Sequence, residues 1–559
     1  MDRKGAVRQT IVAKRTIIAY SIAGLMAAPG VISIARAAEI DIENSDAKVR
    51  WDNTVKYTAG WRVTGLDERV TSISSASPNP NLDAGDRNFG RGLISNRVDL
   101  LSELDMSYKD VGARISGAAW YDSVYNKSPQ PHTPSLGAPD FLGTPPGQFP
   151  EATRDLHGRK AEFLDAFVYG RTELGSVPAS ARLGRFTQLY GETLFLGANG
   201  IAYAQAPIDV VKLLSVPSAQ FKEIGMPVGQ VSGNVQFSSS VSAGAYYQYE
   251  WRKSRLPGAG SYFSFSDFVG PGGDLLLAQP NPFNGNTGVV PRGPDDDARN
   301  SGQYGFQVRF KPSGHGIEYG LYAARYHEKA PIAVYRVLQN DLRFVYPEGI
   351  KTFGASFSTT VGESNVAGEI SIRRDTPLAA PGHLSVFIDP TGNLKNSNNL
   401  PYAVGNSVHA NLSWISTYAR SPFWEGATLL GEIGFNRRTS ITRGAQFVDP
   451  SSTRDASGLR IAFEPQYFQV LPQLDITVPI SLGYALSGRS SVSSFGPEKG
   501  GDLTIGINAE YQKVWRASLQ YVRFLGSAGA VTATGTTFAS YKQFYGDRDF
   551  VSLSIQRSF

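Results

Sequence analysis

Residues 502–511 read DLTIGINAEY, and their alternation decides the fold. Asp502, Thr504, Gly506, Asn508 and Glu510 fall on one face of an extended chain; Leu503, Ile505, Ile507, Ala509 and Tyr511 fall on the other. Successive side chains of a strand point to opposite sides, so this stretch has one wet face and one apolar face. The same period returns in 303–310 (QYGFQVRF) and 407–414 (SVHANLSW). A soluble sandwich also alternates, but its strands commonly hold about five or six residues. Here the runs reach about ten residues, enough to cross a bilayer at a tilt. Tyr, Phe and Trp flank them like the aromatic girdles of an outer-membrane barrel.

Working outward, such runs lie at 51–64, 93–108, 111–123, 160–171, 180–190, 228–238, 240–252, 301–311, 316–328, 350–361, 364–374, 406–418, 425–438, 458–470, 474–486, 500–511, 515–525 and 549–559. The spacing predicts an all-β chain: a transmembrane antiparallel barrel of about 18 strands, with 16 as the other even count. Short turns such as Lys109-Asp110 and Pro472-Gln473 alternate with long Gly/Pro/Asn-rich segments such as 65–92, 124–159, 253–300 and 375–405. That is the pattern of short periplasmic turns and long external loops. The last strand ends on Phe559, with Val551, Leu553 and Ile555 on its face, which resembles the assembly signal read by the barrel-insertion machinery.

Composition narrows the classes. The 559 residues include no cysteine, which excludes a disulfide scaffold, a thiolate metal site and a cysteine nucleophile. With 18% charged and 11% aromatic residues, wholesale disorder is excluded too. The formal charge of +5 is carried by the N-terminus. Arg3, Lys4, Arg8, Lys14 and Arg15 precede the apolar stretch Ile17–Ile34, and Ala35-Arg36-Ala37 closes it, so 1–37 reads as a cleaved secretory signal. Its removal takes six basic residues and one acidic residue from totals of 54 and 49, leaving a balanced mature chain with no call for nucleic acid. Residues 38–50 then form a periplasmic N-terminal segment and 51–559 the barrel. Beyond the signal no apolar run is long enough for a spanning helix.

One connection differs from the rest. Residues 191–227 carry Leu194, Phe195, Leu196, Ile201, Val210, Val211, Leu213, Leu214 and Val216 between Pro207, Pro217 and Pro227. Pro207 suits the first turn of a short helix that Pro217 would stop. An exposed loop this apolar is a liability. It therefore reads either as an inward-folded, partly helical constriction whose path is set by Pro207, Asp209, Val210, Val211, Leu213 and Leu214, or as a hydrophobic cap on the rim.

Charged residues in hydrocarbon cost about 2–4 kcal/mol at mid-depth for Arg or Lys, so those inside strands should face the lumen. Arg97, Asp99, Glu103, Asp105 and Arg114 share one phase, and Asp165 and Arg185 add to them, although Phe163/Phe167 and Leu164/Val168 compete for the lipid side. These charges are either a stiffening ion network or a substrate-selecting surface. Catalysis is tested by the six histidines. Only His409 is mid-strand, with Ser407 and Asn411 on its face, like the His–Asn–Ser set of an outer-membrane phospholipase. At i, i+2 and i+4 the three are expected to spread along the strand without bonding in series, so no catalytic residue is assigned. Asp295-Asp296-Asp297 reads either as a calcium site or, by default, as a solvated charge run, and neither metal nor cofactor is assigned.

Three stretches carry a resemblance: Leu93–Tyr108 (LISNRVDLLSELDMSY), Lys160–Arg171 (KAEFLDAFVYGR), and Leu183–Val228 with LGRFTQLYGETLF, AYAQAPIDVVKLL and KEIGMPV. In this order they resemble a proteobacterial outer-membrane family labelled domain of unknown function 1302, from about Val49 to Phe559. The resemblance implies a barrel and points to export or uptake of hydrophobic compounds. The expectation is an outer-membrane channel for hydrophobic or amphipathic small molecules in a Gram-negative cell. Its partners would be outer-membrane lipids, the assembly machinery and the solute, with any periplasmic or efflux partner open. A lipid-acting barrel enzyme and an adhesin-like surface barrel are the alternatives.

Overall fold

The computed structural model describes residues 38–41, 46–71, 84–129, 147–216, 220–278, 288–379, 382–533 and 535–559; the signal stretch and Pro217 lie outside them. One antiparallel sheet closes on itself. Its wall strands are β1 (Ala47–Arg62), β2 (Gly92–Tyr108), β3 (Val111–Asp122), β4 (Arg159–Leu174), β5 (Val177–Phe186) and β6 (Val228–Gln236). There follow β7 (Val241–Gln248), β8 (Gln303–Phe310), β9 (Glu318–Tyr326), β10 (Ile350–Val361), β11 (Ser364–Pro377) and β12 (Val404–Tyr418). The last six are β13 (Gly426–Arg443), β14 (Asp455–Leu471), β15 (Leu474–Thr477 with Ile480–Ser487), β16 (Gly501–Tyr511), β17 (Trp515–Leu525) and β18 (Phe550–Ser558). This is the 18-strand barrel that the alternation predicts.

Closure is made by β18 pairing with Thr54–Arg62 of β1, whose other edge pairs with β2. Phe559 completes the seam, exchanging two backbone hydrogen bonds of 2.8 Å with Asn53. β1 starts at Ala47, inside the stretch expected as an N-terminal extension, and Ala38–Asp41 pairs with its Lys48–Trp51 segment. β15 is broken at Pro479, which has no N–H for the ladder.

The rival phases of 160–171 have a local cause. Ile115 of β3 pairs with Ala166 and Gly117 pairs with Phe163, so Ser116 faces two residues of β4, a bulge. Above it Phe163 points outward, 71% exposed; below it Val168 does, 53% exposed. Each phase holds for half of the strand.

At the long-loop end the connections form a roof. Ile332–Arg336, Asp341–Val345 and Leu384–Phe387 make a three-stranded sheet within the connections. Trp251, Phe268, Leu342, Phe344 and Val531 from three connections pack together. At the seam, Arg62 meets Asp547 at 2.9 Å and Arg548 meets Asp86 at 2.8 Å, all buried, tying the turn Ala84–Arg87 to the barrel. Among the described residues no helix is long and apolar enough to cross a membrane, which says nothing of strands.

Candidate functional site

After Phe186 the chain leaves the wall and returns to it at Val228. The first half of this insert lies on the lumen faces of β9–β13. Its short 3-10 turn, Ile201–Ala204, rests there because Gly354 of β10 has no side chain: a Cβ at that position would stand 2.6 Å from Ile201 Cδ1. Tyr190 packs on Tyr246 with ring centroids 5.4 Å apart.

Two buried carboxylates of the wall hold this half by its backbone. Glu432 of β13 accepts from the consecutive N–H groups of Leu194, Phe195 and Leu196 at 3.2, 2.5 and 2.7 Å. Glu369 of β11 accepts from Glu192 and Ile201 N–H, both at 2.8 Å. Arg373, four residues on, donates to the carbonyls of Ala198 and Gly200 at 2.9 Å. Charged groups that accept or donate such bonds are satisfied in a dry setting where unpaired ones would be costly. None of Glu369, Glu432, Arg373 or Asn199 was singled out from the sequence; a mid-strand Glu on the lumen phase was the available signal.

The second half packs Ile208, Phe221 and Ile224 against Ala202 of the first, with Val210, Leu213 and Val216 around them, and Phe221 N–H donates to Leu194 O at 2.9 Å. Its helix runs Val210–Ser215, beginning after Pro207 where Asp209 caps it by accepting from Lys212 N–H at 3.0 Å. The expected start at Pro207 is thus displaced: the Asp209 carboxylate satisfies one of the free N–H groups of the first turn, which a proline side chain cannot do. Leu214 turns to the aromatic cluster of Phe89, Tyr125 and Phe550. Val211 stays half-buried and Lys212 is exposed, its ammonium donating to Glu223 O at 2.7 Å. The guanidinium of Arg255 joins this half to β4, 2.7 Å from Asp209 and 2.5 Å from Glu162, and its main chain exchanges bonds of 2.9 Å with Val210 N–H and Ile208 O.

The insert reaches two sides of the wall: its first half is bonded to Glu432 of β13, and Leu214 of its second half packs on the cluster that contains Phe550 of β18. The open wall beside it carries most of the charges read from the sequence. Arg97 meets Asp99 at 2.5 Å and stacks over Trp120. Arg114 pairs with Glu103, with Asp105 at 3.3 Å and with Asp165 at 3.7 Å, all about one-third exposed. Arg185 stands apart: it pairs with Ala166 and Gly229 in the phase of outward Leu183 and lies 3.7 Å from Glu250.

The Ser407/His409 reading needs correction. The side chains do bond in series, Ser407 Oγ to His409 Nε2 at 2.8 Å and His409 Nδ1 to Asn199 Oδ1 at 2.9 Å. Asn199, not the strand's own Asn411, completes the row, because the insert delivers it from across the lumen; Asn411 bonds Glu432 instead, at 2.7 Å. Ser407 and His409 are each 1% exposed. Access for a substrate would require lifting the insert, which carries Asn199 away and dismantles the row. The arrangement fastens the insert.

Two titratable groups in the connections report the dryness of the roof. Burial pushes His157 down to about 3, and the neutral ring accepts from Gly258 N–H at 3.0 Å. Burial also brings Lys329 down to about 8, where its ammonium donates to Ala204 O at 3.1 Å and lies over the Tyr326 ring. Asp295 is paired with Lys253 and Arg292, both at 2.8 Å. Among the described residues no His/Cys/Asp/Glu group could hold a metal ion.

A family model described as "Protein of unknown function (DUF1302)" matches residues 17–559. No curated protein matches the chain in sequence. Similar solved structures include the outer-membrane channel DcaP of Acinetobacter baumannii, at 10% identity over 93% of this chain and 100% of that one, TM-score 0.37. OccAB4 of the same organism covers 91% and 98% at 8% identity, TM-score 0.41. OpdK of Pseudomonas aeruginosa with vanillate covers 91% and 98% at 8% identity, TM-score 0.39. At that level of likeness nothing follows about a substrate.

Proposed function

The chain belongs to the DUF1302 family, and from that premise we propose that it is a porin-like channel of the Gram-negative outer membrane, exported by a cleaved signal peptide and passing amphipathic small molecules without catalysis. The observation that carries this reading is the insert, bonded to Glu432 of β13 in its first half and packed on the Phe550 cluster of β18 in its second. A wall of this size otherwise encloses a wide aqueous pore. A segment that fills it and leaves one charged stretch of wall uncovered acts as a size and polarity filter. The outward band, with Phe163, Leu321 and Ile370 more than half exposed, suits hydrocarbon. Amphipathic solutes fit better than purely apolar ones: Val211 and Leu214 offer apolar surface, while Lys212 and the Arg114 cluster keep the passage polar.

The test is single-channel conductance in planar bilayers. Residues 208–226 are replaced by a short Gly/Ser linker, leaving Leu194–Ile201 on Glu432 and Glu369. Conductance should rise severalfold, and discrimination between amphipathic and strongly hydrophilic solutes should fall, while heat-dependent gel mobility reports an intact barrel. Unchanged conductance in a folded barrel would make the segment a rim cap and remove the filter.

A further inference from the structure

Resting only on the membrane-spanning reading, and not on transport, we infer that the long-loop rim of β9–β11 binds the phosphorylated headgroup of an outer-leaflet lipid. Three cations stand side by side there: Arg325 pairs directly with Lys351 across β9 and β10, and Lys351 with Arg374 across β10 and β11. All three share the outward phase of the row below, where Ala323, Phe353 and Ile372 pair in the same order. Phe353 and Ile372 are 45% and 38% exposed, part of the apolar band. The cations begin where that band ends, at headgroup depth. Tyr304 precedes them in the same row, as an interfacial aromatic does.

Like charges directly opposite one another on a sheet destabilise it, and local counter-charge is scant. Asp375 lies 3.6 Å from Lys351, both about half exposed. A fourth cation, Arg299, is occupied by Glu348 at 3.3 Å. Among the described residues neither Arg325 nor Arg374 has a carboxylate partner. Arg325 is further hemmed in by two glycines: a Cβ at Gly302 or Gly349 would come 3.1 or 3.2 Å from its guanidinium. Guanidinium groups take phosphate oxygens two at a time, which an ammonium between them cannot do. A phosphate anchored by acyl chains is held by both parts of this surface, the cations above and Phe353 with Ile372 below.

The test is native mass spectrometry of the mature barrel in detergent micelles, with diphosphorylated lipid A as the probe. The double variant Arg325→Gln/Arg374→Gln should lower retention by roughly tenfold, two charge-assisted contacts being lost. Arg523→Gln, on β17 at the same rim, should leave retention unchanged. Without lipid the double variant should unfold at a higher temperature than the wild type, because the like-charge row is relieved; that readout also shows that it folds. Equal retention by the double variant overturns the inference. So does equal retention of enzymatically dephosphorylated lipid A. Full displacement by inorganic phosphate alone would assign the row to a free anion and likewise overturn it.

Discussion

The lumen has two walls built from the same residue types, and only one is dry. On the covered side Glu369 and Glu432 are 6% and 0% exposed and bond to backbone N–H groups of the insert. On the open side Glu103, Asp105 and Asp165 surround Arg114 with their side chains 28–34% exposed. A carboxylate on the first wall is a fastening, since water cannot replace its partners. On the second it faces water and contributes a field that is screened and individually weak. Which role a lumen glutamate plays is decided by whether the insert covers it.

The largest break in this contrast is Glu432→Ala. It strands three N–H groups, each costing about 1–3 kcal/mol when buried and unpaired. The insert should detach, with a severalfold gain in conductance and irregular current steps in planar bilayers; steady wild-type current would show that the fastening is dispensable. Arg255→Gln comes next. It leaves Asp209 and Glu162, both mostly buried, without their shared cation, a loss of about 1–3 kcal/mol. The second half of the insert should loosen while the first stays in place, read as faster hydrogen exchange confined to 208–226. If exchange quickens equally over 191–205, the two halves are one unit.

Acid should loosen the roof. The folded pKa of His157, about 3, lies below the ordinary 6.5, so between those values the unpacked connection binds more protons than the packed one. Roof stability is fully present above pH 6.5 and declines as pH falls toward 3. Limited proteolysis near 147–158 should therefore speed up at pH 4 relative to pH 7, and less so in His157→Phe. The smallest stability effect belongs to the open wall. Arg114→Gln should change unfolding by under about 1 kcal/mol, yet shift the reversal potential toward cation selectivity, because three carboxylates lose their cation. A large destabilisation with unchanged selectivity would erase the difference between the walls.

The wall was legible because period-two alternation is a local consequence of facing lipid on one side and water on the other, as in Asp502–Tyr511. The bulge at β4 was not: Phe163 and Val168 both read as outward residues, but only the register against Ser116 shows that each is right. Apolar content marked the insert, while its docking was hidden, because Glu432 and Leu194–Leu196 are joined through the backbone and no side-chain pattern records that. His409 shows the same limit. Its neighbours on the strand were visible, but its partner Asn199 comes from 210 residues away in the chain.

The backbone recognition of the insert has a consequence for divergence. Glu432 receives three main-chain N–H groups, which any residue but proline supplies equally. Side chains at 194–196 can therefore be exchanged without altering the receptor that holds them. A lineage could retune what passes by substituting the insert alone, on an unaltered barrel, and a designer could treat the segment as an interchangeable cartridge.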